Sequence, residues 1–210
     1  MTGAFLSMKK KIPVILGVIG TVLLAWFLAN TYKAHRLYDN NVNTANYTAL
    51  PVLTEGQFLS QTFTAEEDTI DAIGLKANRN GDYSAAQVTV TLKDTSTGEV
   101  LAQMTESASD IKPRKVHDFF LGPVAGCKDR TLTLEVTQTG STPSDGAVFY
   151  FQGGAGDKER LLVSGTEYDA VLVMRTQTYR FDVERFISVL LAVWFIWIFM
   201  WALYRLFSSK

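Results

Sequence analysis

The sequence predicts an all-β jelly-roll or β-sandwich domain outside the cytoplasm, flanked by two transmembrane α-helices. Two uncharged, apolar segments lie near the ends of the chain, at 12–30 and 186–204. Between them, short runs of alternating apolar and polar residues are separated by turn sequences, which is typical of antiparallel strands. All 21 acidic residues lie between Asp39 and Glu184, so neither chain end carries an acid. These three observations together predict a folded middle between two membrane segments.

Each apolar segment has the length of a membrane span. The segments 12–30 and 186–204 contain no charged residue, and a bilayer core needs about 20 apolar helical residues. A buried core helix is the alternative, but such helices usually keep a polar stripe. Basic residues at 9–11 precede the first segment, and no A-x-A-like cleavage site follows it. We therefore favour an uncleaved signal anchor over a removed signal peptide.

The charge distribution predicts the orientation in the membrane. Residues 1–11 and 205–210 are basic, whereas 31–185 carries 15 basic and 21 acidic residues, a net charge of −6. The positive-inside rule then predicts a two-pass plasma-membrane protein with both termini in the cytoplasm. Four basic residues beside the spans oppose the rule, but large domains translocate largely regardless of charge. The acidic middle excludes a generally basic nucleic-acid binder.

The middle of the chain predicts one β domain after a polar connector. Residues 31–50 form the connector, and its start, 31–38, is able to extend the first helix. No run within 51–180 suggests a long helix. Eight short antiparallel strands in this segment predict one sandwich or jelly roll. The predicted strands are 58–64, 69–77, 86–93, 99–105, 116–121, 132–137, 147–152 and 169–176.

The alternation within these strands predicts which side chains form the core. In 147–152 it places Phe149 and Phe151 on one face and Tyr150 on the other. Tyr150 is assigned to the solvent side because its hydroxyl group needs a partner. The predicted core includes Phe63, Ile73, Leu75, Val88, Val90, Leu92, Phe120, Leu132, Leu134 and Val136.

Several strand sequences resemble a known class of module. The run 61–64 (QTFT), the triplet 73–75 (IGL), the hairpin 90–101 and the run 132–136 (LTLEV) carry the resemblance. They are similar to jelly-roll modules, of the carbohydrate-binding and galactose-binding-like kinds, in bacterial membrane proteins linked to cell-surface polysaccharide assembly. The resemblance covers roughly 56–176. It implies a jelly roll and, as an expectation, a domain that binds glycan or a partner protein.

Sugar binding requires aromatic platforms and planar polar groups on one sheet face. The candidate ligand-binding residues are Tyr83, Tyr150, Gln152 and Tyr168. The alternative is that these side chains only pack, because aromatic residues dominate protein cores. Both interpretations stay open at the level of sequence.

The second apolar segment carries a stripe of tryptophans. Trp194, Trp197 and Trp201 recur at i, i+3 and i+7, so they share one face of a helix. They are candidates for an interface with a larger membrane protein. Packing on the first span or contact with the lipid bilayer is the alternative.

Catalytic and metal-binding patterns are scarce. No G-x-S-x-G, H-E-x-x-H or phosphate-loop motif occurs, and a single cysteine, Cys127, excludes an intrachain disulfide. We therefore expect no enzymatic activity and no cofactor; an extracytoplasmic hydrolase using Asp118 and Asp169 is the weakest hypothesis. The acidic run 66–68 and Asp71 are compatible with a structural calcium site or with a solvated turn.

Two functions follow as hypotheses. The first is a membrane-anchored, non-enzymatic protein whose sandwich binds glycan or a partner protein in surface-polysaccharide assembly. The second is a structural accessory subunit, assembled through its helices with a larger glycosyltransferase or transporter.

Overall fold

A computed structural model describes residues 2–154 and 161–208, with side chains from residue 15 onward. The chain divides into two compact units. The helical unit comprises Met1–Tyr32 and Tyr179–Lys210, and the β unit comprises Lys33–Thr178.

The helical unit pairs α1 (Thr2–Ala29) with α2 (Val183–Ser208). Small side chains every four residues form the least exposed line on the described part of α1. Thr21, Ala25 and Ala29 are at most 8% exposed, and the same line begins at Gly17, which contacts Trp197 of α2. Small residues let two helix backbones approach closely, so this line is the packing surface for α2.

The helix α2 begins with a capped first turn. The Asp182 carboxylate accepts a hydrogen bond from Arg185 N at 3.0 Å, which satisfies one of the free amides of the first turn. Asp182 N also donates to the Ala29 carbonyl oxygen at 2.9 Å. These bonds connect the end of α1 to the start of α2.

One helix has the length and composition of a membrane span within the described residues. α2 has 26 residues with a hydropathy of 2.4 and is long and apolar enough to cross a bilayer. In α1, the apolar helical segment with described side chains, Ile15–Ala29, is shorter. The expectation of a second span is therefore met by α2, whereas the span at 12–30 stays a prediction.

The β unit contains two antiparallel sheets. The first has the order β1-β13-β4-β9-β12, with β2 paired to β9 and β7 to β4, and the second has the order β11-β10-β3-β8-β5-β6. The strands are β1 Asn30–Arg36, β2 Thr48–Ala49, β3 Phe58–Thr64, β4 Ile70–Asn80, β5 Gln87–Asp94, β6 Val100–Ser107, β7 Lys115–Val124, β8 Thr131–Thr139, β9 Gly146–Gly153, β10 Leu161–Val163, β11 Thr166–Tyr168, β12 Ala170–Leu172 and β13 Met174–Phe181.

The predicted β-sandwich is confirmed, and several segments differ from the predicted strands, among them the short strand β2 in the predicted connector. Residues 31–38, considered as a helix extension, contain most of β1, because this segment pairs with β13. The strands β10 and β11 were not predicted, since three residues are too few to show alternation. The predicted strand 169–176 is divided at Val173, whose N donates to the Tyr150 carbonyl oxygen at 2.9 Å. The chain thereby passes from pairing with β9 to pairing with β4.

The core lies between the two sheets. Every predicted core residue is at most 1% exposed except Phe120, which is 56% exposed. That prediction was wrong because the β4–β7 register pairs Leu75 with His117 and Ile73 with Phe119. His117 and Phe119 therefore point inward, and Phe119 is fully buried.

A buried histidine occupies the inward-facing phase of β7. His117 is 5% exposed, and its ring packs edge-on against Phe119. Its Nε2 lies 3.0 Å from Glu106 Oε2, and its Nδ1 accepts a hydrogen bond from Lys112 N at 3.3 Å. Both ring nitrogens are satisfied, so the histidine occupies an inward position that an apolar residue would usually hold.

Candidate functional site

A polar network lies on the outer face of the first sheet, the face turned away from the second sheet. Gly74 of β4 pairs with Asp118 on β7 and with Arg175 on β13. Arg175 donates to both Asp118 carboxylate oxygens at 2.9 Å. Gln177 Nε2 donates to Asp118 Oδ1 at 2.8 Å. This gives Asp118 a bidentate guanidinium partner and an amide donor.

Glycine is required beneath this network. A Cβ atom on Gly74 would meet the Asp118 carboxylate and would lie 2.8 Å from the Arg175 side chain. Arg175 and Asp118 therefore reach each other directly across the central strand. A glycine inside a strand often marks such a close approach.

An exposed aromatic ring lies beside the network. Phe120 follows Asp118 by two positions on β7, so both occupy the same face. The Phe120 ring is 56% exposed, and the Asp118 side chain is 17% exposed. Asp118 Oδ2 accepts one hydrogen bond from the described residues, from Arg175, although a carboxylate oxygen can accept two. The face therefore combines a stacking surface with an available acceptor.

A second cluster on this face surrounds Lys76. Its Nζ lies 4.9 Å from the ring centroid of Tyr47 and 5.7 Å from that of Tyr150. The Tyr47 ring also packs edge-on against Tyr38 at 6.0 Å. Burial raises the pKa of the Tyr47 phenol, and nearby Tyr38 and Asp39 raise it further. Tyr47 therefore remains neutral at physiological pH, and Lys76 supplies the positive charge of the cluster.

The structure places two of the four predicted ligand residues together. Tyr150 and Gln152 lie two positions apart on the outer face of β9. Gln152 is 7% exposed, and its Oε1 has no hydrogen-bond partner among the described residues. Tyr83 packs at the edge of the core with the Arg79 guanidinium 4.7 Å from its ring. Tyr168 lies on β11 of the second sheet, 6.5 Å from Phe151.

Sequence reasoning missed most of this face. Tyr47, Lys76, Phe120, Arg175 and Gln177 were not proposed as ligand-binding residues. The available signal was Gly74 inside a strongly alternating strand, since a strand glycine predicts the close approach of another group. The partners of that glycine come from β7 and β13, and their registers are set by long-range pairing.

The tryptophan stripe of α2 is divided between different environments. Trp197 packs against Gly17 of α1. Trp194 and Trp197 line an apolar pocket of about 200 Å³ with Val18, Thr21 and Ile198. Trp201 lies against Arg205, whose guanidinium is 5.6 Å from its ring. The part of the stripe outside this pocket remains a prediction for a partner interface.

The acidic run 66–68 is the position of the calcium site that the sequence leaves open. Glu66 Oε2 lies 2.9 Å from His35 Nδ1, and the described residues contain no group of three or more His, Cys, Asp and Glu side chains that could hold a metal. The calcium site remains an alternative to a solvated acidic turn.

Cys127 is fully buried, its Sγ donates to the Val124 carbonyl oxygen at 3.3 Å, and burial raises the pKa of the thiol. These features favour a packing role for Cys127.

The comparisons with known proteins give little similarity. No protein-family model and no curated protein matches the chain. A mutant of Xylanase10C from Cellvibrio japonicus in complex with xylopentaose is 14% identical, with a TM-score of 0.33 over 66% of this chain and 28% of the xylanase. The infectious bursal disease virus VP2 subviral particle is 8% identical, with a TM-score of 0.21 over 70% of this chain and 38% of that protein.

Proposed function

We propose that this chain is a membrane-anchored, non-enzymatic binding protein whose β-sandwich binds glycan outside the cytoplasm, in bacterial cell-surface polysaccharide assembly. The observation that carries the proposal is the exposed Phe120 ring beside the Asp118–Arg175–Gln177 network. An aromatic ring stacks on the apolar face of a sugar, while planar carboxylate, guanidinium and amide groups bond its hydroxyls. Tyr150 adds a second ring to the same face.

The strand order supports a jelly roll as the scaffold. One sheet contains the path β2-β9-β4-β7, and the other contains β3-β8-β5-β6. From β2 to β9, successive strands alternate between the sheets except at the β5–β6 hairpin, as in a double-sheet jelly roll. The outer face of the first sheet is then a regular, wide surface on which an extended polymer is able to lie.

Aromatic residues near both ends of α2 support a membrane anchor. Phe181 and Phe186 pack at 5.3 Å near its start, and Trp201 and Tyr204 lie near its end. The rise from 183 to 201 is about 27 Å at 1.5 Å per residue, close to the roughly 30 Å bilayer core. Aromatic belts mark membrane interfaces. With α1 as the partner span, these features favour the two-pass topology with both termini inside.

A glycan array with the full-length chain in mild detergent tests the binding function. We expect binding to a limited set of glycans and at least about tenfold weaker binding after Phe120→Ala or Tyr150→Ala, since base or sugar stacking on a ring contributes about 1–3 kcal/mol. Thr133→Ala, on the outer face of the other sheet, is the matched control. The proposal would be contradicted if the unaltered chain bound no glycan. It would also be contradicted if both aromatic variants bound as tightly as the unaltered chain.

The second candidate is an accessory subunit of a larger membrane complex. It is favoured by the exposure of Trp194 and Trp201, which are 54% and 59% exposed. Purification from membranes in mild detergent, followed by mass spectrometry, should then recover a stoichiometric membrane partner that Trp201→Ala releases. Recovery of the chain alone under several detergents would exclude this function.

A further inference from the structure

We propose that Lys76 binds an acidic group, a carboxylate or a phosphate, so that the glycan recognised by the outer face is anionic. This inference rests on the proposed glycan binding and names the substrate class of the same site. Lys76 lies on the central strand β4, two positions beyond Gly74. Two strand positions span about 7 Å, so one glycan chain lying along β4 contacts both clusters.

Lys76 has no acidic partner among the described residues, unlike two other cations of the sandwich strands. Lys93 pairs with Glu135 at 2.8 Å, and Arg175 pairs with Asp118 at 2.9 Å. No carboxylate of the described residues lies within 4 Å of Lys76 Nζ, and no described acceptor receives a hydrogen bond from it. The two tyrosine rings attract the ammonium group, but they leave its three N–H donors available.

The local charge favours an anion although the domain as a whole is acidic. On the outer face, the Arg175 guanidinium neutralises Asp118. The opposite charges of Asp39 and Arg36 both act on Tyr47. Lys76 then contributes a positive charge that pairs with no described carboxylate. The tyrosine rings on either side limit the access of water to the ammonium group and strengthen its interaction with an anion. The segment 31–185 carries a net charge of −6, which disfavours non-specific binding of polyanions elsewhere. An acidic glycan is therefore selected at one position.

The rings also position the cation. Lys76 is half-buried, and its Nζ is held by Tyr47 from the segment before β2 and by Tyr150 from β9. A lysine fixed in this way loses less conformational freedom on binding than a free surface lysine. The same rings offer stacking surface to the sugar that carries the acidic group.

The test is calorimetric titration of the full-length chain in nanodiscs of uncharged lipid. Three probes of matched length are used: an oligouronate, a poly(glycerol phosphate) and a neutral dextran oligosaccharide. We expect at least one acidic probe to bind about tenfold or more tightly than the neutral probe, as for a charge-assisted hydrogen bond. The uronate and phosphate arms show which acid is preferred. Higher salt should reduce the preference.

Variants assign the preference to Lys76. Lys76→Met keeps an apolar stem against the tyrosines and should remove the preference, whereas Lys76→Arg should retain it. Lys112→Met, in an exposed loop, is the matched control and should change nothing. Equal binding of acidic and neutral probes by the unaltered chain would overturn the inference and leave glycan binding intact. Failure of all three probes to bind would overturn both.

Discussion

A single carboxylate, Asp94, organises the turn between β5 and β6. It is 4% exposed, and it accepts hydrogen bonds from Ser96 N at 2.8 Å and from Thr97 N at 3.0 Å. Arg130 Nε donates to its other oxygen at 3.1 Å. The bonds from Ser96, Thr97 and Arg130 hold the pKa of Asp94 well below its usual range. The turn is therefore stabilised by the ionised form.

This lowered pKa predicts a specific pH dependence of folding. A carboxyl group with a lowered pKa in the folded state stabilises the fold above its unfolded pKa, about 4, and that stabilisation is lost as the pH falls further. Urea unfolding between about pH 6 and 3 should show stability decreasing with acidity. Asp94→Asn should lower stability at pH 6 and flatten this decrease. Asp110→Asn, at an exposed aspartate, is the control and should show the same dependence of stability on pH as the unaltered chain. The prediction would be contradicted if Asp94→Asn also lost stability with falling pH as steeply as the unaltered chain.

Neighbouring phenylalanines on β7 provide a second test at the scale of residues. Phe119→Ala removes a fully buried ring and should reduce the free energy of unfolding by about 3–5 kcal/mol. Phe120→Ala removes an exposed ring and should leave stability nearly unchanged, because no core volume is lost. Chemical denaturation of the two variants measures both values. Similar losses in both would show that the assigned β7 register is wrong.

The same pair shows why residue-level prediction has a limit. Alternation in 116–121 is compatible with either phase, because each phase buries one polar residue: Asp118 in the even phase and His117 in the odd phase. The correct phase depends on Glu106 and Lys112 N, which satisfy the histidine from another strand and a loop. A buried polar residue becomes acceptable only through such distant partners. The local sequence does not reveal them.

At the scale of elements, α1 pairs with α2 along a line of small residues. The signal lies at i, i+4 spacing through Gly17, Thr21, Ala25 and Ala29, which includes threonine and alanine as well as glycine. A search for the Gly-x-x-x-Gly motif alone misses it, because Gly17 and Gly20 are three residues apart. The broader small-x-x-x-small pattern predicts the packing face correctly.

Two glycines in α1 make this packing testable. Gly17→Leu places a side chain against Trp197, where a Cβ has no room, and should destabilise the helix pair by about 1–3 kcal/mol. Gly20→Leu is the matched control, because nothing lies within 4 Å of a Cβ at that position. Thermal unfolding of the helical unit in detergent, followed by tryptophan fluorescence, measures the difference. Equal effects of the two substitutions would contradict the assigned face.

In the β unit, the sequence predicts the single strands better than the order of the strands in the sheets. The strand β3 has the predicted bounds, because its alternating apolar and polar residues end at clear turns. The sheet order and the cluster around Gly74 depend on pairings between distant segments, such as β4 with β13. Those pairings are set by the burial of whole faces. Strand alternation therefore located Tyr150 on its correct face but not its neighbours Lys76 and Tyr47.

At the scale of the whole molecule, the near-neutral charge conceals a separation. The complete chain has a formal charge of −1, while 31–185 has −6 and the two ends are basic. The segments that separate these regions are α1 and α2, and their charge-free runs coincide with the changes of sign. This separation is the charge pattern on which the proposed two-pass topology rests, since basic flanks favour the cytoplasmic side. The acidic region then contains the whole β unit.

Cysteine labelling tests this topology in the full-length chain. The native cysteine is first removed by Cys127→Ala, since alanine fills a similar space at this buried position. Single cysteines are then introduced as Ser7→Cys, Ser109→Cys and Ser208→Cys. A membrane-impermeant maleimide added to intact bacterial cells should label only the cysteine at position 109. The cysteines at 7 and 208 should react only after the membrane is permeabilised, because the proposed topology places both termini inside. Labelling of position 7 in intact cells, with 109 protected, would show that the chain has the opposite orientation in the membrane. Labelling of 7 and 109 together would show that α1 does not cross the membrane and would leave α2 as the single anchor.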